Sequence, residues 1–155
     1  MKIDILFLNN EMNGHDEYFD NDLFQEYCET HSFEGKKNQI LSVPPSYSKS
    51  ENLTFIVGLG EKKEDINFYN LGNLIGSKIN SDAEIKFLNN EGDANLIVDG
   101  ILYVQYKFNN YKSDDDSSVN NITFQDLDSS ENEIKKNSVF WVRDLINTPA
   151  LDKSP

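Results

Sequence analysis

The residues of this sequence that can bind a metal ion through nitrogen or sulfur are His15, His31 and Cys28. His15 precedes two carboxylates, Asp16 and Glu17, and such a cluster can bind a metal adventitiously. Neither histidine has a second His or Cys at a ligand-like spacing, which favours a solvated loop. We predict both histidines at the surface, and Cys28 as a small buried apolar group rather than a reactive thiolate.

A second group with potential chemistry is the glycine pair in Gly58-Leu59-Gly60, which follows an apolar run. Glycines after a strand let backbone N–H groups approach a phosphate near the start of a helix. The third glycine of the G-x-G-x-x-G pattern is absent, because Lys63 occupies its place, and Glu61 adds a negative charge nearby. The segment is therefore predicted to be a structural turn, and we assign no nucleotide site to it.

Three consecutive carboxylates, Asp114-Asp115-Asp116, are a third candidate, for calcium. A calcium loop alternates its ligands, as in D-x-D-x-D-G, and closes with a Glu, and this spacing is missing here. Adjacent like charges with no apolar neighbour instead indicate a solvated loop within residues 109–121. No catalytic, cofactor-binding or metal-binding residue is assigned in this chain.

The composition limits the partners. The 155 residues carry a formal net charge of -13 with a pI near 4.4, so the chain repels phosphate backbones and anionic lipid headgroups. The longest basic runs are pairs such as Lys36-Lys37 and Lys135-Lys136, too short to outweigh that charge. We expect no membrane partner, and nucleic acid is disfavoured.

The chain also has the features of a cytoplasmic protein. A single cysteine excludes an intramolecular disulfide, which fits a reducing compartment. The amino-terminal run at residues 1–8 is too short and too charged for a signal peptide or a membrane span. We therefore predict a cytoplasmic location.

The elements that must position these residues alternate between strands and helices. Runs rich in β-branched and aromatic residues predict strands over residues 3–8, 39–43, 53–57, 85–88 and, more weakly, 122–124. Apolar spacing predicts helices over residues 20–27, 65–79, 94–106 and 130–148, with Asp93 or Gly92 near the start of the third. This alternation predicts an α/β fold of three layers, a mixed sheet with helices on both faces.

Two glycines, Gly72 and Gly76, fall on the apolar stripe of the helix at residues 65–79. Each costs helix stability of about 1 kcal/mol relative to Ala, so we expect them to serve a close approach to the sheet. Beyond it, the helix from residue 130 has acidic residues in its first turn and apolar residues at Ile134, Val139, Val142 and Ile146. We predict one domain over residues 1–130. Residues 131–155 are predicted to be the start of a linker helix.

Four fragments, in this order, resemble the amino-terminal domain of leucyl aminopeptidases, the cytosol aminopeptidase family. Phe33-Glu34-Gly35-Lys36 is similar to the family's F-x-G-K turn, and residues 55–62 are similar to its apolar strand ending in G-L-G-K. Residues 99–112 resemble its E-G-x-x-L-x-x-Y-x-F-x-x-Y-K element, with Asp99 in place of the usual Glu. Residues 141–155 are similar to the R-D-L-x-N-T-P segment that opens the link to the catalytic domain.

The resemblance implies a macro-domain-like fold and a role in a larger enzyme. Family members are metallo-aminopeptidases that release amino-terminal residues from peptides with two divalent metals, zinc or manganese, held by carboxylates and a Lys. All those ligands would lie downstream of Pro155, so this fragment alone is expected to be inactive. The implied partners are its own catalytic domain, the other subunits of a homohexamer and peptide substrates. The amino-terminal domain of such an enzyme would contribute to assembly of the hexamer and to control of access to the active site.

Two residues in the linker segment, Arg143 and Asp144, leave their role open. An ion pair or a contact with the catalytic domain would suit them, and solvated helix charges would suit them equally. Two other functions also remain. Macro-like folds can bind ADP-ribose through glycine-rich loops, which would make Gly58-Leu59-Gly60 a ligand site. DNA binding is the third, and the acidity opposes it.

Overall fold

The computed structural model describes residues 1–61, 65–89, 91–106 and 120–148. These residues form five strands and four α-helices, with a short 3-10 helix at Pro45–Tyr47. In chain order the elements are β1 (Lys2–Asn9), α1 (Asn21–Thr30), β2 (Ile40–Val43), β3 (Leu53–Gly60), α2 (Phe68–Gly76), β4 (Ala83–Phe87), α3 (Ala94–Tyr103), β5 (Ile122–Phe124) and α4 (Ser130–Asn147). The predicted acidic loop at 114–118, Lys63, and residues 107–112 and 149–155 of the family-like fragments lie outside the described residues.

The strands form one mixed sheet in the order β2-β3-β1-β4-β5. Strand β1 is central and parallel to both neighbours, so that Ile5 pairs with Phe55 on one side and Phe87 on the other. β5 is parallel to β4, whereas β2 is antiparallel to β3. A central parallel strand is covered on both faces, which explains why the run from Ile3 to Leu8 is buried throughout.

Two apolar cores, one on each face of the sheet, complete the three predicted layers. On one face, α2 and α3 cover Ile3, Ile5 and Phe7 of β1. On the other face, α1 and the segment before it cover Leu6 and Leu8. The alternation of side chains along a strand sends these two sets to opposite faces. The α/β fold with helices on both faces of a mixed sheet is confirmed.

The predicted turn at Gly58-Leu59-Gly60 is wrong, because β3 continues through Gly60. Gly58 pairs with Leu8 of β1 as an ordinary strand residue. A Cβ atom on Gly58 would lie 2.1 Å from the carbonyl oxygen of Lys36. The glycine therefore lets a neighbouring loop pass against the strand, a use that a turn motif does not reveal.

Glycines of α2 make a close approach, but to another helix rather than to the predicted sheet. A Cβ on Gly72 would lie 2.2 Å from the carbonyl oxygen of Ile97, and one on Gly76 would lie 2.8 Å from that of Ile101. Both oxygens belong to α3. The apolar period located the buried stripe of α2, but it does not say which neighbour covers each part of that stripe.

Three helices end about three residues from their predicted ends: α1 at Thr30 instead of 27, α2 at Gly76 instead of 79, and α3 at Tyr103 instead of 106. Asn67 caps α2 by accepting a hydrogen bond from the Asn70 amide, so this helix starts three residues later than predicted. Asp93 caps α3 as predicted, accepting from the Leu96 amide at 3.1 Å. In α4, Ser130 is the first helical residue and donates its amide to Asp128 Oδ1 at 3.0 Å, so the serine is not itself the cap.

Within the described ranges, no helix combines the length and the apolar character needed to cross a lipid bilayer.

Candidate functional site

Helix α4 is fixed to α3 at its first turn by a buried asparagine. The Asn132 side chain donates hydrogen bonds to Asp99 Oδ1 at 2.7 Å and to the Asn95 carbonyl at 3.1 Å. Both acceptors belong to α3, and Asn132 is buried. A buried amide with both bonds on one neighbour holds the two helices in a single register.

Tyr106, which follows α3, makes a second contact with α4 near the carboxyl-terminal end of that helix. Its hydroxyl donates to Asp144 Oδ1 at 2.9 Å and accepts from Asn147 Nδ2 at 3.1 Å. The Arg143 guanidinium lies 5.2 Å from the centre of the same ring, and Phe140 meets its edge at 5.1 Å. Desolvation, together with the hydrogen bond to the Asp144 carboxylate and its charge, raises the pKa of the Tyr106 hydroxyl, and the Asn147 hydrogen bond partly offsets this rise.

Arg143 and Asp144 are therefore neither an ion pair nor simply solvated. Arg143 also donates from Nη1 to the Tyr103 carbonyl at 3.2 Å, so the two charged residues bind the last residue of α3 and Tyr106, which follows that helix. Among the described residues, neither of them forms an ion pair. The sequence placed them in the linker helix, but no local pattern shows that a tyrosine of the third family-like fragment receives them.

The opposite face of α4 is an apolar stripe without cover in the described structure. Trp141 is 64% exposed and Ile146 is 72% exposed. At 100° per residue these side chains and three more fall within an arc of about 140°, whose centre is turned away from Asn132 and Arg143. We call this surface the α4 stripe; its members are Ile134, Trp141, Val142, Leu145 and Ile146.

The sequence identified part of the α4 stripe. Ile134, Val142 and Ile146 were recognised by their spacing and are exposed together. Val139, grouped with them in sequence, is half-buried. Trp141 and Leu145 were missed, although their spacing of seven and eleven residues from Ile134 was a readable signal.

Two of the family-like fragments meet at the end of β3. Gly35, in the Phe33-to-Lys36 turn, has a φ of +66° and a carbonyl that accepts from the Gly60 amide at 2.9 Å. A Cβ on Gly35 would lie 2.2 Å from the carbonyl oxygen of Asn9. The glycine is thus required both for its backbone angle and for close packing against β1.

The residues considered as metal ligands, His15, His31 and Cys28, lie apart from the α4 stripe. His15 was predicted at the surface and is instead largely buried, its side chain 14% exposed and stacked 4.7 Å from Phe24. Its Nδ1 donates to the Met12 carbonyl, and its Nε2 lies 3.2 Å from Asp16 Oδ1 without hydrogen-bond geometry. Because the imidazole ring has apolar faces, His15 can pack in the core beneath α1. The spacing of His15 from other possible ligands in the sequence does not reveal this packing.

His31 and Cys28 have the surroundings predicted for them. His31 is exposed at the end of α1, with its ring 4.1 Å from that of Tyr27. Cys28 is buried in the core under α1, and this burial raises the pKa of its thiol to about 11. In the part of the chain that the structure describes, no three His, Cys, Asp or Glu residues converge to hold a metal ion.

A crevice of about 330 Å³ opens at the carboxyl ends of β1 and β4. The connection that leaves β1 runs through α1 to β2 on one side of it, whereas the connection from β3 through α2 reaches β4 on its other side. Ligands of α/β sheets bind at such switch points. The side chain of Asn89, which follows β4, pairs with the end of β1 here. It exchanges two hydrogen bonds with the backbone of Phe7 at 2.7 and 3.0 Å. Sequence reasoning missed this crevice, because strand order is not visible in the sequence.

Acidic residues surround that crevice. Glu91 and Asp126 line it, and Asp93 already accepts from an amide at the start of α3. Gly60 borders a separate, shallow cavity together with Glu61, Asp65 and Lys37, whose ammonium donates to the Asp65 carbonyl. Carboxylates at both places oppose a phosphate ligand.

Comparison with known proteins gives matches in structure only. No family model and no curated protein sequence matches the chain. The cytosol aminopeptidase from Coxiella burnetii is similar over 98% of this chain, with 19% identity and a TM-score of 0.68. A mutant of tomato leucine aminopeptidase is similar over 99%, with 15% identity and a TM-score of 0.60. The bottromycin maturation enzyme BotP, in complex with Mn, is similar over 96%, with 13% identity and a TM-score of 0.64.

These matches cover nearly all of this chain but only a part of each known one. The chain spans 32% of the Coxiella burnetii enzyme, 37% of the tomato enzyme and 32% of BotP. At such identities the likeness shows a shared fold. This chain therefore has the fold of about one third of a leucine aminopeptidase chain.

Proposed function

We propose that this chain is the non-catalytic amino-terminal domain of a leucyl aminopeptidase, a metalloexopeptidase that releases amino-terminal residues from peptides. The observation that carries the proposal is the fold match to two aminopeptidases, which takes in 98–99% of this chain and about a third of each aminopeptidase chain. The four family-like fragments support it independently. They make contact in pairs: Gly35 with Gly60, and Tyr106 with Asp144.

The α4 stripe supports a role in binding the rest of such an enzyme. Soluble domains rarely leave several large apolar side chains exposed on one helix face without a partner. Burying an exposed side chain of this size contributes about 1.5–3 kcal/mol, so five of them form a substantial interface. In this proposal residues 131–155 begin the link to the catalytic domain, and the α4 stripe packs against that domain.

The remaining parts of the proposal concern the whole enzyme. Its two metals, zinc or manganese, would be bound downstream of Pro155, and the enzyme would work in the cytoplasm as a homohexamer. The domain described here would contribute to contacts between subunits and to control of access by peptides. These roles need no catalytic group in the present chain.

The direct test compares the product of the complete gene with the 155-residue chain in hydrolysis of leucine p-nitroanilide, with added Mn²⁺ or Zn²⁺. We expect hydrolysis by the complete protein and none by the fragment. Hydrolysis by the fragment itself would contradict the proposal. So would a complete gene product that contains no downstream metal-binding segment.

Substitutions in the α4 stripe test the proposed interface. Trp141→Lys and Ile146→Lys change exposed residues, so the fragment should keep its fold, whereas the complete protein should lose assembly and activity. Asn137→Lys, exposed on the same helix outside the α4 stripe, is the matched control. Unchanged assembly in both stripe variants would refute this interface.

A second candidate, a module that binds ADP-ribose, is favoured by one observation, the crevice at the carboxyl ends of β1 and β4. The carboxylates of Glu91 and Asp126 in its lining oppose a diphosphate. Calorimetry with ADP-ribose distinguishes the candidates. The aminopeptidase proposal predicts no heat of binding, and a micromolar response would favour the module.

A further inference from the structure

A polar cavity of about 340 Å³ lies on the α1 face of the sheet, separate from the crevice and from the α4 stripe. Three lining residues share one register: the buried Thr54 on β3 and Asp4 on β1, which form the floor, and the partly exposed Lys86 on β4, at the rim. Side chains at one register in neighbouring strands point to the same face and stand about 5 Å apart. A polar row in the middle of an otherwise apolar sheet face is unusual.

Asp4 is a buried carboxylate with incomplete compensation. It is 3% exposed and accepts from Ser50 Oγ at 2.6 Å and from Asn52 Nδ2 at 3.2 Å. Asn52 Nδ2 also lies 3.3 Å from Oδ2, so two neutral donors make three contacts with a carboxylate that has about four lone-pair positions, and they supply no positive charge. In the described part of the chain it forms no ion pair, although a buried charge ordinarily needs one.

Thr54 supplies a second, independent indication of a missing group. Its side chain is 1% exposed, and its Oγ1 has no hydrogen-bond partner. Thr54 lines the same cavity as Asp4. A buried hydroxyl without a hydrogen-bond partner costs about 1–3 kcal/mol of folding free energy. A ligand that hydrogen-bonds to this hydroxyl would remove that cost.

The rim of the cavity carries charges of both signs. Lys86 and Lys49 line it, and Glu17 adds one exposed carboxylate. Lys49 Nζ already donates to the Asp16 carbonyl at 2.6 Å, while Lys86 forms no ion pair among the described residues. The floor therefore suits a cationic donor, and the rim suits an anion.

We propose that this cavity binds a small zwitterion that carries a primary ammonium and a carboxylate, namely a free α-amino acid. The ammonium donates to Asp4 and to Thr54 Oγ1, and the carboxylate pairs with Lys86. An ammonium has three donors and no acceptor, which matches two acceptors side by side at the floor. The inference goes beyond the proposed aminopeptidase role and does not depend on it.

Calorimetric titration of the 155-residue chain with three related compounds tests the charge requirement. L-Leucine has both charges, isoamylamine lacks the carboxylate, and isocaproate lacks the ammonium. We expect leucine to bind most tightly, the amine at least tenfold more weakly, and the acid not at all. Equal binding of isocaproate and leucine, or no binding of leucine to the folded chain, overturns the proposal.

Variants at the floor locate the site. Asp4→Asn and Thr54→Val are expected to weaken leucine binding at least tenfold, because each removes an acceptor for the ammonium. Glu51→Gln, in the same loop as Ser50 but not in the cavity lining, is the control and should bind as the parent does. Leucine affinity that is unchanged in Thr54→Val, a variant close in volume, contradicts the assignment even if Asp4→Asn fails to fold.

Lys86→Gln separates a ligand from an internal partner. If Lys86 paired with Asp4 in the empty protein, its loss would strongly lower the melting temperature. The proposal predicts an unchanged melting temperature and weaker leucine binding. A large fall in melting temperature with unchanged leucine affinity overturns it.

Discussion

The Cα atom of Gly72 on α2 lies 2.9 Å from the position that a Cβ atom on Gly100 of α3 would occupy. The Tyr69 carbonyl oxygen lies 2.2 Å from the same position. Both neighbours are backbone atoms, which cannot turn aside as a flexible side chain can. The two helices that cover one core therefore touch through their backbones, and α3, which receives α4, is fixed by that contact.

Gly100→Ala is accordingly expected to destabilise the fold. Overpacking a tight contact costs about 1–3 kcal/mol or more, against a gain in helix propensity of about 1 kcal/mol. We expect a net fall in the free energy of unfolding, measured by urea denaturation. Asn95→Ala, exposed on the same helix, is the control and should change stability by no more than about 0.5 kcal/mol. A Gly100→Ala chain as stable as the parent would show that the helices can separate freely.

Tyr106→Phe tests how α4 is held. The change removes a hydroxyl that donates to Asp144 and accepts from Asn147, with an expected loss of about 1 kcal/mol. Amide hydrogen exchange in the last turns of α4 should accelerate, because those turns lose their bond to the end of α3. Tyr47→Phe, at an exposed ring with no such bonds to α4, should leave that exchange unchanged. Equal exchange in both variants would contradict the account.

The Cys28 thiol gives a pH-dependent prediction. Burial raises its pKa from an ordinary value of 9.0 to about 11, so the folded chain keeps the proton that the unfolded chain loses. The contribution of Cys28 to stability is therefore complete below about pH 9 and declines as the pH rises toward about 11. Alkylation by iodoacetamide at pH 8 should be at least about a hundredfold slower in the folded chain than in urea, in proportion to thiolate. Comparable rates in both states would refute the burial of this thiol.

Much of this architecture was predictable from the sequence, for physical reasons. The five strands are short β-branched runs, and α3 begins at a cap, Asp93, whose carboxylate matches the first amides of a helix. The helical spacing of apolar residues also identified the buried face of α2. Local signals of this kind depend on neighbours in the chain, which the sequence gives directly.

The errors concern partners that are distant in sequence. Gly72 and Gly76 were expected against the sheet and contact α3, and His15 was expected in solvent and stacks on Phe24. The crevice between β1 and β4 and the row formed by Asp4, Thr54 and Lys86 depend on strand order. Strand order is set by long-range pairing, which no periodicity along the chain records.

The central claim is that the α4 stripe is covered by the larger part of an aminopeptidase. Its most direct test is hydroxyl-radical footprinting with mass spectrometry at Trp141, the single tryptophan of this chain, in the 155-residue chain and in the complete gene product. We predict rapid oxidation of Trp141 in the isolated chain and strong protection in the complete protein. Equally rapid oxidation of Trp141 in both proteins would contradict the account.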